Sequence, residues 1–201
     1  MILNTLVNDP AMDQNFLSPY GISLLAESGY GMASMQLVGN GTSSGAKSDW
    51  IATSILSETA QWNTSDDTTN GWTGSKLRIH CQNVFEKLQL NVKKRSTSVT
   101  KYSYSSLPSV NANSTSSDQL WVPSNRELNF DSVLETMGPQ YTAMYPNNNA
   151  RIKRNASGTA SKAWLRSANF NTGPYEIFTN GGSNINGASS RSGVCPGLCL
   201  N

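Results

Sequence analysis

Two apolar segments enclose a polar one in the C-terminal part of the chain, and this order is the strongest constraint on the fold. Trp164-Leu165-Arg166-Ser167 opens the region and residues 193–200 close it, with mostly Asn, Gly and Ser between them. Apolar, strand-like ends around small polar residues are typical of a binding surface held on a rigid frame. The pattern favours recognition over catalysis.

Length and composition point to one compact domain with long loops. The chain has 201 residues, enough to bury a core without metal or disulfide support. Asn and Ser make up about a quarter of the sequence, and both side chains compete with regular backbone ladders. A net charge of +2 with 14% charged residues is too weak to hold a polyanion, so we expect no nucleic-acid partner.

The chain contains no segment typical of export or membrane insertion. Residues 1–6 lack the cationic start and apolar run of a secretory signal. No stretch approaches the roughly 20 apolar residues that span a bilayer. We therefore expect synthesis in the bacterial cytoplasm and no membrane insertion.

Three cysteines raise the question of a metal or redox site. Cys195 and Cys199 lie four residues apart, Cys81 lies far upstream, and His80 is the only imidazole. His80 and Cys81 are adjacent, so they point to different faces of a helix or strand and cannot easily share a metal. The pattern favours buried thiols, with His80 as a helix residue, over a metal centre.

We expect no cofactor and no catalytic residues. The sequence lacks the serine elbow and the paired His-Asp signature of a hydrolase triad. Glu127, Asp131 and Glu135 are close carboxylates, and loop carboxylates of this kind more often cap a turn or bind a structural cation. Binding of a structural cation such as calcium is left as an open alternative.

Hydrophobic spacing predicts two helices. The first covers 48–60, where Trp50, Ile51 and Ile55 fall close to helical spacing. The second covers 75–88, where Leu77 and Cys81 begin an apolar stripe that continues to Leu88. Strands are predicted at 95–104, 118–123, 163–167, 175–179 and 193–195. Loops are predicted from 105 to 117 and from 129 to 161.

Four blocks in this order resemble a bacterial and prophage domain family of unknown function over residues 70–200. The blocks are Gly71-Trp72 with 75–78, 120–124 with Arg126-Glu127, 163–169, and Gly193-Val194 with 196–199. Members are similar to C-type-lectin-like variable proteins of diversity-generating retroelements, whose Asn-rich C-terminal stretch is mutated at adenines. The family often carries Arg where this chain has Cys195, so no role of that Arg is carried over.

The resemblance implies a fold and a domain organisation. We expect an α+β, C-type-lectin-like fold, with two helices packed on a small twisted antiparallel sheet and long loops. Residues 71–201 would form this ligand-binding domain. Residues 1–70 would form an N-terminal arm that docks onto other proteins or mediates oligomerisation.

The resemblance also implies a function. Phage tail adhesins use this diversification, so we expect a non-enzymatic protein that binds a host receptor and is associated with the virion. Its partners would be a host cell-surface protein or glycan and, through residues 1–70, other tail or virion proteins. We expect a homo-oligomer, a trimer by analogy with tail adhesins, because avidity raises weak single-site affinity.

The predicted contact residues lie between 169 and 191. Apolar contact area would come from Phe170, Tyr175, Phe178 and Ile185. Adaptable hydrogen bonds would come from Asn169, Asn171, Asn180, Ser183, Asn184, Asn186, Ser189, Ser190 and Arg191. The alternative is a Gly/Asn turn region in which Tyr175, Ile177 and Phe178 lie partly in the core.

The remaining large residues are predicted to be framework. Trp72, Trp121 and Trp164 with Leu165 are expected in the core, because large aromatic residues at strand starts mostly serve packing. Arg166 is expected to form a buried ion pair with Glu127.

Two other functions stay open at this stage. One is a structural virion component without a variable ligand. The other is an oxidase of the formylglycine-generating type, which would need an accessible, low-pKa thiol pair at Cys195 and Cys199.

Overall fold

A computed structural model of the protein describes residues 17–18, 21–25, 32–40, 48–56, 58–88, 90–107, 110–130, 135–169 and 172–201. Among these residues β-strands dominate, and the three α-helices are short. The helices are α1 (Lys76–Glu86), α2 (Leu90–Arg95) and α3 (Asn148–Arg151), and a 3-10 turn covers Trp72–Gly74.

Fifteen strands are described. They are β1 (Leu17–Ser18), β2 (Gly21–Leu25), β3 (Met32–Asn40), β4 (Ser48–Ala52), β5 (Thr59–Gln61), β6 (Val99–Leu107), β7 (Val110–Asp118), β8 (Leu120–Trp121), β9 (Lys153–Arg154), β10 (Ala160–Ser161), β11 (Ala163–Asn169), β12 (Gly173–Ile177), β13 (Ser183–Ile185), β14 (Arg191–Gly193) and β15 (Gly197–Leu200).

The strands form two large sheets and one small hairpin. The first sheet has the order β1-β2-β3-β4-β15-β8, and all of its pairs are antiparallel. The second has the order β13-β12-β11-β14-β5, and the β6–β7 hairpin joins it through β11. Strands β9 and β10 pair separately. Strand β11 is the centre of the second sheet because it contacts β12, β14 and β6.

The predicted α+β, C-type-lectin-like fold is wrong. The described chain is mostly β-sheet in several sheets, and it is not two helices packed on one small sheet. The predicted domain boundary lies at residue 71. Strands β4 and β5 precede it and pair with β15 and β14 beyond it.

The helix predicted at 48–60 is wrong because this segment forms β4 and β5. Trp50 belongs to one hydrophobic cluster and Ile51 to another, so β4 buries both of its faces. A strand buried on both sides gives a continuous apolar run, and spacing alone does not separate such a run from a buried helix.

The loop predicted at 105–117 is also wrong. Residues 99–107 and 110–118 pair along their whole length as the antiparallel hairpin β6–β7. The segment is rich in Ser, Asn and Thr, so the apolar alternation that marks a strand is missing. The strand predicted at 95–104 lies at Val99–Leu107 instead.

The helix predicted at 75–88 is confirmed as α1. Its N-cap is Ser75, whose side-chain oxygen accepts a hydrogen bond from the Arg78 N–H at 3.0 Å. The buried residues of α1 include Leu77, Cys81 and Val84, as the stripe predicted. His80 lies on this helix and is half-buried. The short buried strand before Pro123 is confirmed as β8.

Three indole groups of the framework form buried hydrogen bonds. Trp62 donates to the Leu165 carbonyl at 3.1 Å, and Trp164 donates to the Ala60 carbonyl at 2.7 Å. Trp72 donates to Asp118 Oδ2 at 2.9 Å. The predicted framework residues Trp72, Trp121, Trp164, Leu165 and Arg166 are all buried, which confirms that part of the prediction.

The three cysteines are buried, as predicted, and the structure shows that they are free. Within the described ranges, no group of three or more His, Cys, Asp or Glu side chains is placed to hold a metal ion. No helix of that same part of the chain is long and apolar enough to cross a bilayer.

Replacing Trp164 by Ala is expected to destabilise the fold by about 3–5 kcal/mol, because a fully buried indole leaves a cavity and a carbonyl without its donor. Urea unfolding of both proteins measures the difference. Ile79→Ala is the control, since Ile79 is 50% exposed and its loss should change stability by less than about 0.5 kcal/mol. Equal effects of the two substitutions would contradict the framework role.

Candidate functional site

A buried ionic network includes Arg166 of β11, the strand that pairs with β12 of the predicted binding segment. The Arg166 guanidinium contacts Glu127 Oε2 at 2.6 Å, which confirms the predicted pair. Lys101 contacts Glu127 Oε1 at 3.1 Å, and its ammonium group also lies 3.6 Å from the centre of the Trp121 ring. These side chains are at most 2% exposed, so the charges interact with little screening by water.

The network fixes the protonation state of Glu127. Burial alone would raise the pKa of this carboxyl, but Arg166 and Lys101 lower the pKa to about 2. Burial raises the pKa of the neighbouring Glu135 above its ordinary value. Glu127 is therefore an ionised structural group at neutral pH, and it is poorly suited to acid-base catalysis.

Hydrogen bonds of the turn after β8 connect Glu127 to β13, the outer strand of the second sheet. The Ser124 N–H donates to Glu127 Oε2 and the Glu127 N–H donates to Ser124 Oγ, both at 3.2 Å. The next residue, Asn125, donates its N–H to Ser167 Oγ at 2.9 Å. Its side-chain oxygen accepts a 2.9 Å hydrogen bond from Ser183 in β13. The outer strand is thus tied to the buried network.

The β12–β13 hairpin places two apolar residues side by side. Tyr175 pairs with Ile185 across the strands, so their side chains share one face. Both are half-buried, and Tyr175 packs against the hydrophobic cluster that contains Leu165 and Ile177. The connection is fixed by Gly181, where φ is 78° and a Cβ would collide with the Asn148 carbonyl.

Phe178 lies at the end of this hairpin with a cation over its ring. The Lys162 ammonium is 4.2 Å from the ring centre and 2.9 Å from Glu176 Oε1. The Lys162 side chain is 44% exposed, whereas Glu176 is buried. Phe178 therefore keeps a fixed position while staying partly open to solvent.

A loop from the N-terminal side completes the surface. Asp66 Oδ1 accepts hydrogen bonds from the N–H of Ser189 at 2.8 Å and from its hydroxyl at 2.7 Å, and these bonds lower the pKa of Asp66. The Thr68 hydroxyl donates to the Asn169 carbonyl at 3.2 Å. Sequence analysis predicts a loop at 61–70 but not its contact with Ser189 and Asn169, because no local pattern indicates a contact between residues so far apart in the chain.

Three asparagines of the predicted set present hydrogen-bond donors. Asn180, Asn184 and Asn186 each use Oδ1 to accept a backbone N–H, from Gly182, Ile185 and Gly187. The orientation of each amide follows, because a backbone N–H requires an acceptor. Their NH₂ groups have no hydrogen-bond partner among the described residues, so this surface favours ligands rich in acceptors.

No described member of the predicted contact set is buried. Exposed members are Asn180, Asn184 and Arg191. Half-buried members are Asn169, Tyr175, Phe178, Ser183, Ile185, Asn186, Ser189 and Ser190. Phe170 and Asn171 lie outside the described residues. For Ile177 the core alternative is correct, since this side chain is buried. Ser183, Ser189 and Arg191 also bind neighbouring segments, so they are partly committed to the fold.

The architecture defines a protein of two β-sheets that carries an ordered polar surface on a buried ionic frame. The chain belongs to the family described as "Domain of unknown function (DUF6273)", which it matches over residues 48–201. No curated protein and no solved structure matches the chain significantly. The match begins at β4, so the family covers both the buried network and the hairpin surface.

The lowered pKa of Glu127 predicts how stability depends on pH. An ionised Glu127 stabilises the fold above its ordinary pKa of 4.5, and this contribution is lost as the pH falls through about 2. Glu127→Gln should cost about 3–5 kcal/mol at neutral pH, because it leaves the buried Arg166 without its paired carboxylate and Lys101 with only Asp49 at 3.8 Å. The difference from the wild type should shrink between pH 4.5 and about 2.

Urea unfolding at a series of pH values measures this difference. Glu58→Gln is the control, since Glu58 is exposed and its loss should change stability by less than about 0.5 kcal/mol. The raised pKa of Glu135 has the opposite sign, with stability lost as the pH rises, and it affects both proteins alike. A difference that does not vary with pH would contradict the ionised state of Glu127.

Proposed function

We propose that the protein is a non-enzymatic receptor-binding protein. Its binding face comprises the β12–β13 hairpin with residues 63–69, 169, 172 and 186–191. One observation carries the proposal: every described member of the predicted contact set keeps solvent exposure, while residues 163–168 of β11, the strand that pairs with β12 in the same sheet, are buried and held by Arg166 and Glu127. Most residues proposed for recognition therefore differ from those of the buried frame, which suits a binding surface.

The chemistry of the face supports a macromolecular ligand. Tyr175, Phe178 and Ile185 offer apolar area with few rotatable bonds, and the asparagine amides offer donors around it. Such a mixture suits a protein surface or a glycan that presents carbonyl and hydroxyl acceptors. We propose a host cell-surface molecule as the partner and a phage tail as the setting.

The state of the thiols disfavours the oxidase alternative. Cys195 and Cys199 are buried, and burial raises the pKa of the Cys195 thiol. The Cys195 sulfur lies 2.8 Å from the Ala52 carbonyl oxygen, which is the geometry of a thiol donating a hydrogen bond. Thiol chemistry requires an accessible thiolate, which this environment opposes.

Replacing Phe170, Tyr175 and Ile185 together by Asn is expected to abolish attachment while lowering the melting temperature less than Trp164→Ala does, since Tyr175 and Ile185 are only half-buried. Glycan and bacterial cell-surface protein arrays probed with both proteins measure binding, and calorimetry measures unfolding. Loss of at least about tenfold in affinity is expected, because aromatic and aliphatic anchors dominate such interfaces.

Ile79→Asn serves as the matched control, since it removes an exposed apolar residue on α1 that is not part of the proposed face. Unchanged binding by the triple variant would refute the proposed face. A wild-type protein that binds no target on either array would favour a structural virion component instead.

Retroelement diversification predicts a specific gene neighbourhood. A reverse-transcriptase gene should lie nearby, together with a near-identical repeat of the segment that encodes residues 169–192. The two copies should differ mainly at adenines, because that is where the resemblance places the mutations. Genome sequencing around the gene checks this, and the absence of both elements would contradict diversification while leaving ligand binding to the array experiment.

A further inference from the structure

A second concave surface lies apart from the proposed binding face. It is a groove of about 260 Å³ between the C-terminal half of α1 and the chain that leads from β7 into β8. Its lining includes Gln82, Phe85, Glu86, Ser98, Ser117 and Gln119. It shares no residue with the β12–β13 hairpin or the loops beside it.

The β7 wall of the groove is fixed by Asp118. Its Oδ1 atom contacts the Arg78 Nε at 2.7 Å, and its Oδ2 atom accepts the Trp72 indole N–H at 2.9 Å. The Ser116 hydroxyl also donates to Oδ2, at 2.5 Å. Asp118 is 3% exposed, and its charge is balanced by Arg78. These bonds fix Asp118 and neutralise its charge, so the residues on either side of it are held in place.

The α1 wall presents two polar side chains one turn apart. Gln82 and Glu86 are four residues apart on the helix, so they share one face. Phe85 lies between them with 7% of its surface exposed, which gives the groove an apolar edge. The end of the helix is braced by Lys93, whose ammonium donates to the Glu86 carbonyl at 2.9 Å.

Several side chains of the groove have no hydrogen-bond partner within the described ranges. The side chains of Gln82, Glu86, Ser98 and Gln119 form no hydrogen bond with any residue that the structure describes. Together they offer two amides, a carboxylate and a hydroxyl. Amides and hydroxyls both donate and accept, and a carboxylate accepts several hydrogen bonds. Convergence of such groups on one concavity is typical of a polar ligand site.

We infer that this groove binds an uncharged saccharide. Neighbouring hydroxyls of a sugar ring alternate as donors and acceptors, as do the amides of Gln82 and Gln119. The C–H face of a sugar fits the Phe85 edge, which a purely polar ion does not. Glu86 repels anionic sugars, and a single exposed carboxylate adds little affinity for a cation.

Nuclear magnetic resonance titration of the full chain tests this site. The probes are glucose, galactose, mannose and N-acetylglucosamine, with sialic acid and glucosamine as charged comparisons. At least one neutral sugar should give saturable amide shifts at Gln82, Ser98, Ser117 and Gln119. Gln82→Ala and Gln119→Ala should each weaken binding by about tenfold. Asn83→Ala is the matched control, since Asn83 is an exposed amide beside Gln82 that does not line the groove.

Four results would overturn the inference. They are the absence of saturable shifts with every neutral sugar, tighter binding of a charged sugar, equal loss with Asn83→Ala, and shifts confined to residues 172–191. The last result would instead assign sugar binding to the face of the receptor-binding proposal. The triple Asn variant of that face should keep its affinity for sugar in the groove, so failure of one proposal is distinguishable from failure of the other.

Discussion

The ionised carboxylate of Glu127 is the central contact of the buried ionic network. It lies between Arg166 of β11 and Lys101 of β6, and it also caps the turn after β8, so one anion joins three segments. Arg166 also donates hydrogen bonds to the carbonyls of Tyr102 and Val122. Because all these groups are withdrawn from water, loss of Glu127 would leave Arg166 without its paired carboxylate and Lys101 with only the Asp49 carboxylate, at 3.8 Å.

The same frame positions the outer strand independently of several of its exposed side chains. Asn125 lies beside Glu127 in the turn, and its side chain bonds to Ser183 of the outermost strand. The Asn125–Ser183 hydrogen bond therefore helps to position the β12–β13 hairpin. The register of the hairpin does not depend on which residues stand at positions 180 and 184. Side chains that only cap their own backbone tolerate replacement by other small polar residues, whereas the frame has no such freedom. This division is the basis of the receptor-binding proposal.

Sequence reasoning predicted elements whose signals are local. The Ser75 cap and the apolar stripe gave α1, and a guanidinium beside apolar strands required a partner such as Glu127. It failed where burial or pairing is non-local. Strand β4 buries both faces and so mimics a helix, and the β6–β7 hairpin lacks apolar alternation. The overall fold came from the resemblance and was wrong. The contact of Asp66 with Ser189 joins segments that nothing in the sequence relates.

The position of β15 in the first sheet has a consequence for biosynthesis. This strand lies between β4 and β8, although both are made well before it during translation. Until β15 emerges from the ribosome, the nascent chain exposes two facing strand edges with apolar residues beside them, which are favoured sites for aggregation. We expect the first sheet to assemble late, and holdase chaperones would be most needed in that interval.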